Sequence, residues 1–207
     1  MLLERRILEN IALDMVSRRV FTRAGYPASA DIPEDDAALL QRLMPQMRAL
    51  LAPAIALGEI VAHASALDKV ILDNTMEINS VSLARTMRGT TQITLYAATI
   101  GNEIERMATQ CSNDGKHREA LLWDSFGSEA AEALARHVSL VVRQRASTAG
   151  HKTTMRYSPG YGDLALEFNA TILDLLDAGE IGIATNDAGL LLPRKSTTGL
   201  IGWIHGR

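Results

Sequence analysis

One short segment of this chain combines residue types that are able to hold a small ligand: Arg156-Tyr157-Ser158-Pro159-Gly160-Tyr161-Gly162-Asp163. Its glycines and proline favour a tight backbone that a ligand can approach closely. Arg156 offers a planar fork for a carboxylate, and Tyr161 offers an aromatic face with one polar end. Asp163 is placed to cap a following helix, whose first N–H groups are unpaired. These features predict a site for an amino-acid-like ligand that carries a flat group. The alternative is a capped loop with a surface arginine.

Signatures of other chemistries are missing from the sequence. It has no Walker loop, no Gly-x-Gly-x-x-Gly motif after a strand and no His-Glu-x-x-His motif. Ser128 follows a glycine but lacks the second glycine of a nucleophile elbow. Cys111 and His117 are near enough in sequence to share a metal ion, but two ligands in a loop are weak support for a metal site. We therefore expect neither a bound metal nor an essential side-chain nucleophile or base.

The composition of the 207 residues is that of a globular protein. Hydrophobic residues make up 47% and charged residues 22%, which argues against a disordered chain, and a net charge of −3 gives no reason to expect nucleic-acid binding. The one cysteine excludes an intrachain disulfide framework. Pro53, Gly58, Glu59 and His63 interrupt the longest apolar stretch, so no membrane span is expected. Since no targeting segment is visible either, the expectation is a cytoplasmic protein.

The spacing of apolar residues and the capping residues predict the elements that would position this segment. Apolar residues recur at spacings near four over 2–24, which predicts a helix. A second helix is predicted to have Asp31 as its N-cap and Pro33 as an early helical residue, and to end near Pro53, with Pro45 kinking or splitting it. Further predictions are strands at 70–72 and 76–78, a helix at 80–87 capped by Ser80, a strand at 91–100, a helix at 102–110, a loop at 111–116, a helix at 118–145 and a polar connector at 147–154.

After the connector, Asp163 is predicted to cap a helix that ends at Gly179. Short β-like runs at 181–184, 189–192 and 197–204 then suggest an antiparallel meander.

These elements indicate the α+β class, because helices and strands are segregated instead of alternating regularly. The length is that of one domain with a substantial core, so residues 1–207 are predicted to be a single domain. Its parts are a helical N-terminal part, residues 1–55, and a core with the ligand-binding motif, residues 90–207.

The Arg-x-x-Pro-Gly-Tyr motif at 156–161 matches a known family, and other segments follow the same pattern: Tyr96–Gly101, Glu132–Ala135, Val142-Arg143, Ile181–Ile183, Pro193 and Lys195–Gly199. On these residues, the stretch 90–203 resembles the activation domain of cobalamin-dependent methionine synthase and its stand-alone relatives. The resemblance implies a curved, helmet-like α+β domain with helices packed on a twisted antiparallel sheet. It also implies that the chain binds S-adenosylmethionine and supports reductive remethylation of oxidised cobalamin.

The resemblance further implies which residues bind the cofactor. The family's motif arginine, which contacts the amino-acid end of S-adenosylmethionine, falls on Arg156, and its motif tyrosine falls on Tyr161. Ser158 would approach through its backbone, and Gly160 belongs to the same motif. The family's helix glutamate falls on Glu132.

Glu132 has a plainer alternative, a surface ion pair with Arg136 four residues later, worth about 0.3–0.5 kcal/mol. Two contacts of the family have no position here: an N-terminal aspartate is not placed, and a late tyrosine would lie beyond Arg207. Losing one charged contact costs roughly 1.5–3 kcal/mol, about ten- to a hundredfold in affinity. Whether S-adenosylmethionine binding is retained therefore stays open.

The Asp-x-His-x-x-Gly pattern of cobalamin-binding modules is absent, and a substrate barrel does not fit in 207 residues. The resemblance therefore implies a stand-alone reactivation module whose cobalamin is held by a partner, a corrinoid methionine synthase or other corrinoid protein. An external donor would supply the electron, and this chain would contribute positioning. One alternative is an interaction protein with the same fold that has lost S-adenosylmethionine binding. Another is an unrelated small-molecule methyltransferase, for which no positioned base is visible.

Overall fold

The computed structural model describes residues 4–64 and 68–206 of the chain. The strands are β1 (Glu4–Glu9), β2 (Ala54–Ala64), β3 (Lys69–Leu72), β4 (Met76–Asn79), β5 (Thr90–Thr99), β6 (His151–Thr153), β7 (Ala184–Thr185), β8 (Leu191–Leu192) and β9 (Ser196–His205). The α-helices are α1 (Ser17–Arg23), α2 (Glu34–Ala49), α3 (Val81–Thr86), α4 (Glu103–Asn113), α5 (His117–Thr148) and α6 (Phe168–Leu175). An antiparallel sheet follows the order β4-β3-β2-β5-β9-β6, and β1 also pairs with β2.

Helices cover both faces of this sheet. Side chains alternate along β5, so Tyr96 and Ala98 face one core while Leu95 and Ala97 face another. The first core lies against α1, α2, α4 and α5, and the second lies against α3 and α6. The α+β class predicted from the sequence is therefore confirmed, with helices packed on an antiparallel sheet.

The predicted helix over 2–24 is wrong for residues 4–16, and its residues 2–3 lie outside the described part of the chain. Glu4–Glu9 form β1, which pairs antiparallel with Ala54–Glu59 of β2, and residues 10–16 have no regular secondary structure before α1 begins at Ser17. A spacing of four is an even number, so the same apolar pattern suits one face of a strand as well as one face of a helix. The partner strand decides between the two. In the N-terminal part predicted to be helical, the first element of the described residues is thus a strand, and the described helices are α1 and α2.

Helix α2 follows its prediction closely. It begins at Glu34 after Pro33, so Asp31 is not its cap, and its first turn holds three acidic residues that suit the positive end of the helix dipole. Pro45 lies inside the helix, which nevertheless continues to Ala49 without splitting. Apolar packing of the face that includes Met47 outweighs the one hydrogen bond that the proline removes.

Two predictions for the C-terminal half need correction. The run at 197–204 belongs to β9, which lies in the main sheet between β5 and β6, while β7 and β8 form a separate two-stranded ribbon instead of a longer meander. Part of the predicted connector 147–154 is strand β6, and α4 extends into the predicted loop at 111–116. A strand pattern in the sequence does not name its partner, and here the partners lie far away along the chain. None of the helices in the described residues has the length and apolarity needed to cross a membrane.

Candidate functional site

A cavity of about 810 Å³ opens between α5, the segment 155–161 and the start of β9. Its walls include four of the five predicted cofactor-binding residues, namely Glu132, Arg156, Ser158 and Tyr161. Gly160, the fifth, shapes the loop without lining the cavity. The fold thus brings together an arginine and a glutamate that are 24 residues apart in the sequence.

The segment reaches the cavity because β6 covers only the last residues of β9. Beyond β6 the chain stays beside β9, where Thr154 N–H donates to the carbonyl of Gly202 at 2.9 Å. Tyr157 and Leu200 then exchange backbone hydrogen bonds of 2.9 and 2.8 Å. The backbone on both sides of Arg156 is therefore held by the sheet, which places its side chain beside α5.

The Pro-Gly-Tyr turn is fixed by short-range hydrogen bonds. Gly160 has a φ of +86°, a region that glycine adopts without strain, and its N–H donates to the carbonyl of Leu164 at 2.9 Å. Tyr161 N–H donates to the carbonyl of Ser158 at 3.2 Å, and the Tyr157 hydroxyl donates to the carbonyl of Tyr161 at 3.1 Å. The side chain of Tyr161 is 69% exposed, so it stands at the rim of the cavity.

Asp163 does not cap the helix that follows it, as the sequence had predicted. Helix α6 begins only at Phe168, and no side chain in the described part of the chain caps it. The Asp163 carboxylate instead accepts hydrogen bonds from the Ser80 hydroxyl at 2.6 Å and from the N–H of Val81 at 2.7 Å. These bonds, led by that of Ser80, lower the pKa of Asp163 from 3.8 to about 2. Asp163 thus joins the end of the loop that contains the Pro-Gly-Tyr turn to the first turn of α3.

Arg156 and Glu132 form an ion pair across the cavity wall. Arg156 Nη2 donates to Glu132 Oε1 at 2.5 Å, and both side chains remain partly exposed. The alternative pairing of Glu132 with Arg136 is wrong, because Arg136 donates to Glu129 at 2.7 Å. Glu132 therefore faces the cavity together with Arg156.

Glu129 is a buried carboxylate that the sequence analysis did not single out. Only 1% of its side chain is exposed, and it accepts hydrogen bonds from Arg23 at 2.9 Å and from Arg136. Burial by itself raises the pKa of Glu129, but the hydrogen bonds from the two arginines outweigh burial and lower the pKa. This cluster holds α1 against α5, and Arg23 also lines the cavity.

A chain of hydrogen bonds fixes the cavity wall on the α6 side. The Ser158 hydroxyl donates to the carbonyl of Thr198 at 2.6 Å, and the Thr198 hydroxyl donates to Asn169 Oδ1 at 2.5 Å. Asn169 Nδ2 in turn donates to the carbonyl of Gly189 at 2.9 Å. Thr198 and Asn169 are buried, so these bonds give the wall a defined shape.

Lys195 fixes the start of β9. Its Nζ lies 2.8 Å from both the Ser128 hydroxyl and an oxygen of Asp124, and its backbone N–H donates to Glu105 at 2.5 Å. Gly127 makes room for this arrangement, because a Cβ there would lie 3.3 Å from Lys195 Cε. The Ser128 hydroxyl thus has a structural role, as an acceptor for Lys195.

Tyr96 is a cavity residue that the sequence analysis named only as part of the family resemblance. It is fully buried, lines the cavity, and its hydroxyl has no hydrogen-bond partner among the described residues. Arg156 Nη1 is likewise buried and unpartnered. The alternation of apolar residues along β5 predicts that Tyr96 is buried. It does not predict that Tyr96 lines the same cavity as Arg156.

The pair considered as metal ligands is not part of this site. Cys111 is buried in α4, where burial raises the pKa of its thiol, and His117 begins α5. Across residues 4–64 and 68–206, no three histidine, cysteine, aspartate or glutamate side chains are grouped so as to hold a metal ion.

Comparisons with known proteins agree with this architecture. No family model matches the sequence, and no curated protein matches it. The chain is similar to the crystal structure of the MetH reactivation domain bound to AdoHcy, with a TM-score of 0.69, 15% sequence identity, and coverage of 97% of this chain and 78% of that chain. The likeness is one of backbone structure, and it establishes that this chain has the fold of the MetH reactivation domain.

Proposed function

We propose that the cavity binds S-adenosylmethionine and that the protein supports methionine synthase reactivation. The proposal rests on the cavity, whose wall holds Arg156 with one buried guanidinium N–H that has no partner among the described residues. The fold adds support, since the similar MetH reactivation domain is bound to AdoHcy. AdoHcy is the demethylated form of S-adenosylmethionine and presents the same amino-acid and nucleoside groups.

The residues present suit a ligand of this kind. The cavity lies within the range of about 300–1,000 Å³ that is usual for small-molecule sites. Arg156 provides donors for the carboxylate of the ligand, and exchange of Glu132 for that carboxylate preserves the charge pairing of the guanidinium. Glu132, once released, is an acceptor for a ribose hydroxyl or a partner for the cationic end of the ligand.

The rim of the cavity suits contact with a flat apolar surface. Met155, Tyr161 and Leu190 line the cavity with side chains that are 81%, 69% and 52% exposed. Tyr161 would pack its ring on the ligand or on the corrin of a partner. Ser158 would contribute its backbone, while Gly160 gives the turn its shape.

In this proposal the chemistry comes from the bound groups, because S-adenosylmethionine donates the methyl group and a partner's cobalamin accepts it after reduction by an external donor. This chain binds and orients the ligand at the mouth of the cavity. The partner is a corrinoid methionine synthase or another corrinoid protein, and the location is the cytoplasm.

The binding claim is tested by calorimetry. AdoHcy and S-adenosylmethionine are titrated into the wild type, Arg156→Ala and Arg106→Ala. Arg106→Ala is the control, because the wild-type Arg106 pairs with Glu103 on α4. Binding by the wild type and the control, with a loss of about tenfold or more in Arg156→Ala, supports the proposal. No binding by the wild type at millimolar ligand contradicts it.

The reactivation claim needs a partner. Inactive methionine synthase that lacks its own activation domain is mixed with this protein, a reductant and S-adenosylmethionine. Recovery of methionine synthase activity that depends on all three supports the claim, and no recovery by a protein that binds the ligand contradicts it.

A second function, an interaction protein that has lost the ligand, is favoured by one contact. The Arg156–Glu132 ion pair satisfies both charges within the chain at 2.5 Å. In that case the protein co-purifies with a corrinoid protein, and Arg156→Ala leaves the co-purification unchanged.

A further inference from the structure

Two buried polar groups at the cavity have no partner among the described residues. They are the hydroxyl of Tyr96, on a side chain with no exposed surface, and Nη1 of Arg156. Both residues line the same cavity. Native proteins pair nearly all buried polar groups, because an unpaired one costs free energy. Two such groups at one cavity therefore indicate that a bound molecule completes their hydrogen bonds.

Other polar side chains of the wall already have partners. The committed groups are the hydroxyls of Ser158, Thr198 and Tyr157, the amide of Asn169 and the guanidinium of Arg23. The two unpaired groups are a guanidinium N–H, which only donates, and a phenol, which donates readily. Two donors on the wall of one cavity suit an acceptor with two oxygens, and a carboxylate is such a group.

The ring of Tyr96 is held in place. Tyr96 lies opposite Gly199 in the ladder between β5 and β9 and opposite Leu57 of β2. A Cβ at position 199 would lie 2.9 Å from the Tyr96 hydroxyl, so only glycine leaves this slot open. Since the hydroxyl has no exposed surface, a ligand reaches it when a side chain of the wall moves. Arg156 lines the same cavity, and in the proposed function its side chain moves when it exchanges Glu132 for the ligand.

We propose that the Tyr96 hydroxyl is a ligand-binding group that donates a hydrogen bond to the carboxylate end of the ligand, beside Arg156. The assignment rests on the proposed function, because it uses the same cavity and the same ligand. It adds a residue that selects ligands with an intact amino-acid tail over nucleosides without one.

The test compares two probes on the wild type and on Tyr96→Phe. AdoHcy carries the carboxylate, whereas methylthioadenosine keeps the nucleoside and the sulfur but lacks the amino-acid tail. In Tyr96→Phe the affinity for AdoHcy falls about ten- to a hundredfold, while the affinity for methylthioadenosine is unchanged. The unfolding midpoint does not fall, since the substitution removes a hydroxyl that is unsatisfied in the free protein. Tyr26→Phe is the matched control. It removes a hydroxyl that donates to Asp36 away from the cavity, so both affinities stay unchanged.

Each other outcome identifies which claim fails. Equal AdoHcy affinity in the wild type and Tyr96→Phe overturns the role of Tyr96 and leaves the proposed function standing. An equal loss for both probes, or a lower unfolding midpoint in Tyr96→Phe, shows a structural role and also overturns the assignment. No AdoHcy binding by the wild type overturns the proposed function, and the role of Tyr96 falls with it.

Discussion

Asp163 accepts a 2.6 Å hydrogen bond from the hydroxyl of Ser80, and this contact ties the loop that carries Arg156 to the start of α3. Ser80 also caps that helix, because its oxygen accepts a hydrogen bond from Leu83 N–H at 3.0 Å. The carboxylate thus lies at the positive end of a helix, where its ionised form is favoured. A residue 83 positions away along the chain completes the cap.

The Asp163 contact predicts an acid-sensitive contribution to stability. The pKa of Asp163 in the folded protein is about 2, below its ordinary value of 3.8. A lowered pKa means that the carboxylate stabilises the folded state above about pH 4 and that this contribution is lost as the pH falls toward about 2. Thermal unfolding of the wild type and Asp163→Asn measures it. The wild type melts higher at neutral pH, and the two melting curves converge on acidification. A difference that stays constant down to the lowest pH would contradict the assignment.

A methyl group at position 199 is expected to disturb the cavity. Its carbon would lie 2.7 Å from the carbonyl oxygen of Tyr157 and 2.8 Å from Cε1 of Tyr96, distances that force both to shift. Gly199→Ala should therefore lower the free energy of unfolding by about 1–3 kcal/mol in denaturant titrations. Gly179→Ala is the control, because a Cβ there meets nothing within 4 Å. Equal free energies of unfolding for the two variants would contradict the expectation, because they would show that the β9 backbone and Tyr96 shift at little cost.

Breaking the buried carboxylate cluster is expected to cost more than breaking a surface pair. Glu129→Gln keeps the shape but removes the charge that pairs with Arg23 and Arg136. A loss of about 2 kcal/mol is expected, below the figure for a fully buried pair because both arginines are partly exposed. Because the pKa of Glu129 is lowered in the folded protein, its contribution to the free energy of unfolding is present near neutral pH and is lost on acidification. Chemical denaturation measures the loss, and Glu103→Gln, on an exposed carboxylate, should change little. A Glu129→Gln variant as stable as the wild type would contradict the expectation.

Glu132 is expected to contribute to ligand binding as well as to the resting ion pair. Glu132→Ala removes an acceptor for the ligand and frees Arg156, so the two effects partly offset each other. We expect a net loss of about tenfold in AdoHcy affinity, since a hydrogen bond to a charged group outweighs the release of a partly exposed pair. Calorimetry measures it, with Glu119→Ala, in the first turn of α5, as the control. Tighter binding by Glu132→Ala would show that Glu132 acts only as a competitor for Arg156.

Several local features were predictable because their causes lie within a few residues. The apolar stripe of α5, the strand β5 and the cap of α3 follow from periodicity and from Ser80. The turn at 156–161 was also predicted as the ligand-binding segment, and the cavity lies against it. That its residues contact S-adenosylmethionine stays a prediction, as does the division of the chain into domains.

The sequence by itself determined the helix and strand patterns, the rigid Pro-Gly turn and the residue types that suit a carboxylate, because those properties depend on side chains near one another in the chain. Tertiary structure alone decided that Glu4–Glu9 is a strand, that Asp163 belongs to α3, and that Arg156 meets Glu132. It also decided that the Tyr96 hydroxyl has no hydrogen-bond partner within residues 4–64 and 68–206. The reason is physical: pairing, burial and charge compensation act between groups that meet only when distant segments pack, and no local pattern encodes which groups those are.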